Sequence, residues 1–388
     1  MYAAKTAGIC LVLAGIMLTM FQIGCEKQNQ VIETWERTFG GDSADAGRSV
    51  RQTSDGGFII AGETRSQGAG RSDAWLVKTD SVGNELWNKT FGGPNPDGAD
   101  AAQQTTDGGY VVFGSTWSFG AGGWDAWLIK TDATGNEVWS RTIGGTGHDY
   151  GSLGQQTSDG GYVMTGTTES FASDSNAAEV WLVKADANGA VSWVRNYGPG
   201  CGFSVRQTAD GGYIITCALS QNNGDLVLIK TDSAGLMVWT LTMGGWDQDW
   251  GNSVEQTSDG GFVVAGFTRS FGAGSVDAWL VKTDSCGNIA WRRTYGTDST
   301  EQATSVQQTA DGGYIMAGWK SPPENLISDA WLIKTDADGN KLWEKTFGGS
   351  GSDRASSITQ TSDGGYVVTG STGSTGTGKG DVWLFKTD

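Results

Sequence analysis

Gln52-Thr53-Ser54-Asp55-Gly56-Gly57-Phe58 decides the reading of this chain, because the same heptad returns six more times with small changes. Its Asp falls at Asp55, Asp107, Asp159, Asp210, Asp259, Asp311 and Asp363, at steps of 49 to 52 residues. Asp-Gly and Gly-Gly supply the positive φ of a tight hairpin, so each copy marks a turn between two strands. Upstream lies Ser49-Val50-Arg51-Gln52-Thr53 and downstream Phe58-Ile59-Ile60-Ala61-Gly62. Further out, Trp-Leu-(Val/Ile/Phe)-Lys-Thr-Asp keeps the same step, with Trp75, Trp127, Trp181, Trp279, Trp331 and Trp383; the fourth copy has Val227 instead. A third Trp recurs at Trp35, Trp87, Trp139, Trp193, Trp239, Trp291 and Trp343. One supersecondary unit has been copied seven times.

Each unit reads as four short strands. After the second strand a Gly/Ser loop leads to Ala74-Trp75-Leu76-Val77-Lys78-Thr79, and Asp80-Ser81-Val82-Gly83-Asn84 turns the chain into Glu85-Leu86-Trp87-Asn88-Lys89-Thr90-Phe91. Strands such as Tyr110-Val111-Val112-Phe113 are apolar without alternation, which suits sheets covered on both faces. A four-stranded sheet of that kind cannot stand alone, but seven set radially cover one another. The expectation is an all-β, seven-bladed β-propeller of four-stranded blades over residues 31–388. The thirteen Trp in register are read as packing between blades.

Asp80 to Trp87 resembles the tryptophan-docking repeat of PQQ-type (quinoprotein-like) propellers, and the Asp-Gly-Gly-Tyr units resemble repeat lipoproteins of prokaryotes. The resemblance spans residues 31–388 and rests on turn and packing residues. It implies that the docking Trp lies on the outermost strand of a blade. Residues 31–39, with Trp35, are then an outer strand without a unit, and the last unit, ending at Asp388, lacks that strand. The two would complete one blade and close the ring. The PQQ cofactor itself does not carry over: such dehydrogenases imply eight blades, adjacent cysteines and a calcium site, whereas this chain has seven units and no adjacent Cys.

A formal net charge of −17 argues against nucleic acid or anionic lipid as the partner of the folded part. A single His and five Cys leave little for a His-rich metal centre, a zinc ribbon or a Ser-His-Asp relay. At the amino end, Lys5 precedes an apolar run over residues 7–23 and then Gly24-Cys25. That is a secretory pattern. Gly24-Cys25 resembles a lipoprotein lipobox, although Gln22 stands where Leu is usual; an uncleaved anchor or ordinary signal cleavage are the alternatives. The reading is a signal peptide over 1–24, lipidation at Cys25, a tether over 25–30, and a cell-envelope protein held to the membrane by its anchor alone. Of the remaining cysteines, Cys201 and Cys217 flank one unit and are the expected pair should a disulfide form, leaving Cys286 over.

Because strand direction alternates, the Asp-Gly-Gly and Asp-x-x-Gly-Asn turns share one face and the variable loops share the other. The five Trp outside the register (Trp117, Trp124, Trp246, Trp250 and Trp319) map to the variable face or its rim. So do His148, Tyr150, Asp247 and Asp249. Aromatics among acids and amides suit a sugar ring or an extended peptide, with gap-filling between blades as the competing reading. An acid precedes every third strand, at Asp73, Asp125, Glu179, Asp225, Asp277, Asp329 and Asp381. These fit loop capping; a carboxylate ring could also take Ca²⁺, and Asp336-Ala337-Asp338-Gly339-Asn340 faintly resembles a calcium loop. The functional expectation is a monomeric, non-catalytic binder or scaffold for a glycan, a peptide or an envelope protein, with no metal or cofactor assigned. The alternative is a carbohydrate-active hydrolase or lyase using two carboxylates, or His148 as a lone base. Unit four, with Cys217 for Gly and Val227 for Trp, reads as a partner contact or as drift.

Overall fold

Gly56 adopts a φ of 82° and Thr53 N–H donates to Gly57 O at 2.9 Å, so the Asp-Gly-Gly turn closes as a hairpin. The computed structural model describes residues 32–173, 177–220, 224–324 and 327–388. The leader, Cys25, the tether and Val31 lie outside them. At the turn, the Asp55 carboxylate accepts the Thr53 hydroxyl (2.5 Å) and the Gly57 N–H (3.0 Å). It also meets the ammonium of Lys78, the repeated Lys of the third strand, at 2.9 Å. The Lys78 side chain is only 3% exposed, and its Nζ also donates to Thr79 O at 2.8 Å. The same pair recurs in every unit, from Lys130–Asp107 to Lys386–Asp363. A cation drawn among apolar strands is tolerable only with such partners.

Among the described residues there are 27 strands. A first strand, β1 (Trp35–Phe39), precedes unit one, which comprises β2 (Asp45–Gln52), β3 (Phe58–Thr64), β4 (Asp73–Thr79) and β5 (Glu85–Phe91), hydrogen-bonded antiparallel in that order. Five sheets have four strands. The sixth has seven, because β13 (Val191–Gln207) is both the last strand of unit three and the first of unit four. The last unit runs through β25 (Asp353–Gln360), β26 (Tyr366–Thr372) and β27 (Asp381–Thr387). Its fourth strand is β1, with Trp35 opposite Lys386 and Phe39 opposite Val382.

The core lies between sheets rather than within them. Every residue of β4 is buried, and so is every residue of β3 except Glu63. The buried side chains fall into seven clusters, each drawn from two units. Ile59, Ala61 and Leu76 of unit one pack with Tyr110, Val112 and Trp127 of unit two. Val367, Val382 and Leu384 of the last unit pack with Val50, Phe58, Ile60 and Trp75 of the first.

A second set of bonds follows the same junctions. Ser54 N–H donates to Gln104 Oε1 of the next unit at 2.8 Å, while Gln104 Nε2 donates to Gly108 O of its own turn. The bond from one unit's turn to the next unit's Gln recurs from 106 to 156, 158 to 207, 209 to 256, 258 to 308 and 310 to 360. It also runs from Ser362 to Gln52, at 3.0 Å. The repeated Gln is therefore an inter-unit clasp.

Two sequence expectations change. Cys201 and Cys217 are free thiols. Gly202, not Cys201, stands opposite Cys217, so successive side chains point to opposite faces: Cys201 is exposed and Cys217 is buried. The atypical unit four also has a packing explanation. Elsewhere a Gly of the second strand faces the repeated Trp, as Gly62 faces Trp75 and Gly166 faces Trp181. In unit four Cys217 faces Val227, so both members of the pair change together and a smaller side chain opposite accompanies the larger one.

Burial alone would raise Asp55, Asp107, Asp159, Asp210, Asp259 and Asp311, but bonds from Thr, Lys and Gly hold each at about 2. Stability from these pairs is present above the ordinary carboxylate range and is lost as pH falls through about 2. Melting temperature followed by circular dichroism should therefore drop steeply between about pH 4 and pH 2. Asp55→Ala should cost about 1–2 kcal/mol, less than for a fully buried pair because Asp55 is 57% exposed, by leaving the Lys78 ammonium without its carboxylate, whereas Lys78→Met should cost less. Equal losses would show that the pair is not what stabilises the turn.

Candidate functional site

Four of the sequence-selected residues form one aromatic run. Trp117 follows β7 (Tyr110–Thr116), Trp124 precedes β8 (Asp125–Thr131), and Tyr150 lies on β10 (Asp149–Gln156) just after His148. Ring centroids are 5.9 Å apart for Trp117–Trp124, 5.9 Å for Trp124–Tyr150 and 6.0 Å for Tyr150–His148. The first two pairs are tilted by 37° and 33°; the third is stacked at 16°. Trp124 N–H donates to His148 Nδ1 at 3.2 Å, which locks units two and three together beneath the rings. Trp117 is 43% exposed and Tyr150 39%. Polar groups rim the run: Asn95 Nδ2 donates to Trp117 O, and Glu169 Oε2 accepts His148 N–H at 2.9 Å. Offset rings with an amide and a carboxylate alongside can stack on a pyranose face and bond its hydroxyls.

The other five candidates are not part of that run. Trp246 is 78% exposed, beside Asp247, whose N–H donates to Ser270 Oγ at 3.0 Å. Trp250 is a packing residue: its ring stacks on Phe203 at 5.1 Å and meets Phe267 at 5.3 Å. Trp319 lies under the Arg354 guanidinium, 4.5 Å away. Asp249 is not a surface ligand group. It is fully buried, and its carboxylate accepts Gly245 N–H at 2.8 Å and Arg269 N–H at 3.1 Å. Asp45, Asp97, Asp149 and Asp353 hold the equivalent loops in the same way.

Of the acids before the third strands, Asp73, Asp125, Asp277 and Asp381 cap their loops. Asp73 accepts Ala69 and Gly70 N–H at 3.0 and 3.2 Å, and Asp381 accepts Thr377 N–H at 2.7 Å. Asp73, Asp125, Asp225 and Asp329 feel the charge of the loop-holding acid of the next unit, respectively Asp97, Asp149, Asp249 and Asp353. Burial first and the neighbouring carboxylate second raise Asp125 and Asp225, the latter to about 6, and Asp225 Oδ1 has no hydrogen-bond partner. The Asp336 carboxylate is occupied by its own turn, accepting Asp338 and Asn340 N–H. Among the described residues no group of three or more His, Cys, Asp or Glu side chains is placed to hold a metal ion.

Sequence reading missed a cavity of about 790 Å³, bounded by the first strand of every unit. Each of those strands slips register against its neighbour. The residues left unpaired at the slips include Arg48, Asp100, Phe203, Asn252, Thr304 and Ser356, and Ser152 beside Leu153. All of them border the cavity. Bulges of this kind re-aim side chains. One residue before the clasping Gln, Arg51, Gln103, Gln155 and Arg206 border it too. The signal was present in the sequence: when the seven copies are laid in register, these two columns change chemistry while their neighbours do not.

No protein-family model matches the chain, and no curated protein sequence matches it. Among solved structures, it superposes on the Pan2 WD40 domain of Neurospora crassa with a TM-score of 0.55 and 10% identity, over 89% of this chain and 97% of that one. It superposes on the Dos1 propeller with a TM-score of 0.51 and 12% identity, over 91% and 95%. A quinohemoprotein alcohol dehydrogenase from Comamonas testosteroni aligns at a TM-score of 0.45 and 12% identity, over 91% and 76%, too loosely to carry an argument. At such identities the likeness speaks to fold alone. The fold is a β-propeller.

Trp250→Ala should destabilise by about 3 kcal/mol, as expected for emptying a ring-sized space, whereas Trp246→Ala should change stability by less than about 0.5 kcal/mol. Urea unfolding of both variants separates packing from surface. For Asp225 the folded-state pKa is raised, so its contribution is present below the ordinary carboxylate range and lost as pH rises through about 6. The melting temperature should be higher at pH 5 than at pH 7.5, and Asp225→Asn should narrow that gap.

Proposed function

We propose that this chain is a non-catalytic binding protein: a closed, seven-bladed propeller of the PQQ-like repeat kind, exported and tethered by lipid at Cys25, which takes a carbohydrate chain on its loop face. The observation that carries the binding role is the run Trp117–Trp124–Tyr150–His148, half open to solvent and rimmed by Asn95 and Glu169. Trp250 is packed by Phe203 of the adjacent unit and by Phe267 of its own sheet. Trp117 and Tyr150 instead remain 43% and 39% exposed. Centroid steps near 6 Å suit successive sugar faces along a chain, and the rims provide acceptors and a donor for hydroxyls.

Closure is supported by the bonds between the last unit and the first. β1 pairs with β27, Ser362 N–H donates to Gln52 Oε1, Thr359 Oγ1 donates to Val50 O at 3.1 Å, and Val50 N–H donates to Ser357 Oγ at 3.3 Å. Lipid tethering and export rest on the amino-terminal pattern alone.

A glycan array probed with the folded domain should give specific hits that Trp117→Ala and Tyr150→Ala weaken at least tenfold, about 1.4 kcal/mol, with melting temperatures little changed. Hits insensitive to both substitutions would sink this site. Turnover of a bound polysaccharide, lost on Glu169→Gln, would move the protein to the hydrolases or lyases. Closure has its own test. Removing residues 32–39 should lower the melting temperature sharply, and Gln52→Ala should cost as much as Gln156→Ala, about 1 kcal/mol each. An unaffected melting curve would reject the closed ring.

A further inference from the structure

The repeated cations of this protein are all answered. Each of the seven Lys ammoniums reaches a carboxylate, in six cases at 2.8 to 2.9 Å. Two cations from a column that varies between units are not. Arg51 and Arg206 both border the cavity on which the first strands converge. Among the described residues neither has a carboxylate within 4.0 Å of its nitrogens, since none of the ten ion pairs includes them. Arg206 spends one donor on Val205 O at 3.1 Å, and among the described residues the Arg51 guanidinium makes no hydrogen bond. Nearly all the donors of two guanidinium forks are therefore unspent. The acid nearest in charge, Glu255, has Oε2 committed to Gln308 N–H at 2.7 Å.

That arrangement is costly unless something uses it. Burial lowers both arginines; Arg51 pushes Arg206 further down, to about 10, and Glu255 only partly offsets this. The two forks border one cavity with their like charges opposed, in a chain whose net charge is −17. Arg206 and Gln155 also border a second hollow of about 500 Å³, edged by Ser158 and Thr208 of the Asp-Gly-Gly turns. Hydroxyl and amide side chains such as Ser49, Gln103 and Ser253 line the first cavity with them, as do Arg48 and the carboxyl of Asp100, which burial raises to about 6. Two forks with spare donors, in a wall of hydroxyls and amides whose one carboxylate is Asp100, define the missing partner as an anion with several oxygens.

We infer that Arg51 and Arg206 form an oxyanion site in this cavity, separate from the aromatic run, which takes the phosphate or carboxylate group of a small hydroxylated ligand. Phosphate and carboxylate share the chemistry a guanidinium fork reads, two adjacent acceptor oxygens, and are distinguished by measurement. Glu255 sets the affinity from the side by competing for both forks.

The test is calorimetric titration of the folded chain at pH 7 with inorganic phosphate and, separately, with malonate, at ionic strength held constant with sodium chloride. One of the two anions should bind saturably at one site per chain, and the stronger names the ligand class. Arg51→Gln and Arg206→Gln should each weaken it at least tenfold, and the double variant should abolish it. Glu255→Gln should tighten it several-fold, which a purely structural role for the three residues would not produce. Ligand-free melting curves confirm that the variants fold. Absence of saturable binding by both anions, or binding that survives in the double variant, would overturn the assignment. Either result leaves the aromatic run untouched, because that site is read on the glycan array.

Discussion

A sheet of four strands with apolar residues on both faces can be buried only by its neighbours, and the rest of this protein follows from that constraint. Each of the seven apolar clusters is shared by two units, so a unit in isolation would leave side chains such as Trp75 and Leu76 against water. Polar bonds then fix how far one sheet turns against the next. The Lys–Asp pair anchors the third strand to the hairpin of its own unit, and the Gln clasp anchors that hairpin to the following unit. The apolar contacts supply attraction without direction, whereas the hydrogen bonds supply direction. Removing either would leave the other with too little to specify one arrangement.

Much of this could be read from the repeat. Positive φ at Asp-Gly-Gly, continuous apolar strands and Trp in register led to four-stranded antiparallel sheets, and the strand around Trp35 was placed on the last unit, where it lies. What escaped notice depended on distance. The Gln of the heptad looked like part of a local turn, but its acceptor oxygen serves the unit before it, and no local pattern carries that information. Asp249 and Trp250 were chosen for the company they keep in sequence. The loop that Asp249 holds buries its carboxylate, and Phe203 and Phe267 pack against the half-buried ring of Trp250. The register slips in the first strands could not be read from spacing, yet they aim Arg48 and Asp100 into the cavity.

Repetition therefore sorts residues by their work. Columns that stay constant make turns, clasps and inter-sheet packing; where one changes, as at Cys217, its partner Val227 changes with it. Columns that vary singly are free of that coupling. Arg51, Arg206 and Glu255 belong to such a column, and so does the loop content that brings Trp117 next to Trp124. A chain built by copying needs no alignment of relatives to separate scaffold from site, because its own copies provide the comparison.

The pairing of β1 with β27 has a mechanical consequence. Trp35 stands opposite Lys386, so the two chain ends leave the sheet side by side. Force applied between them would load the ladder one rung at a time, like a zipper, rather than shearing all its rungs together. The last sheet is thereby the softest point of the molecule under tension. A pull at the ends would strip β1 before it strained the other sheets.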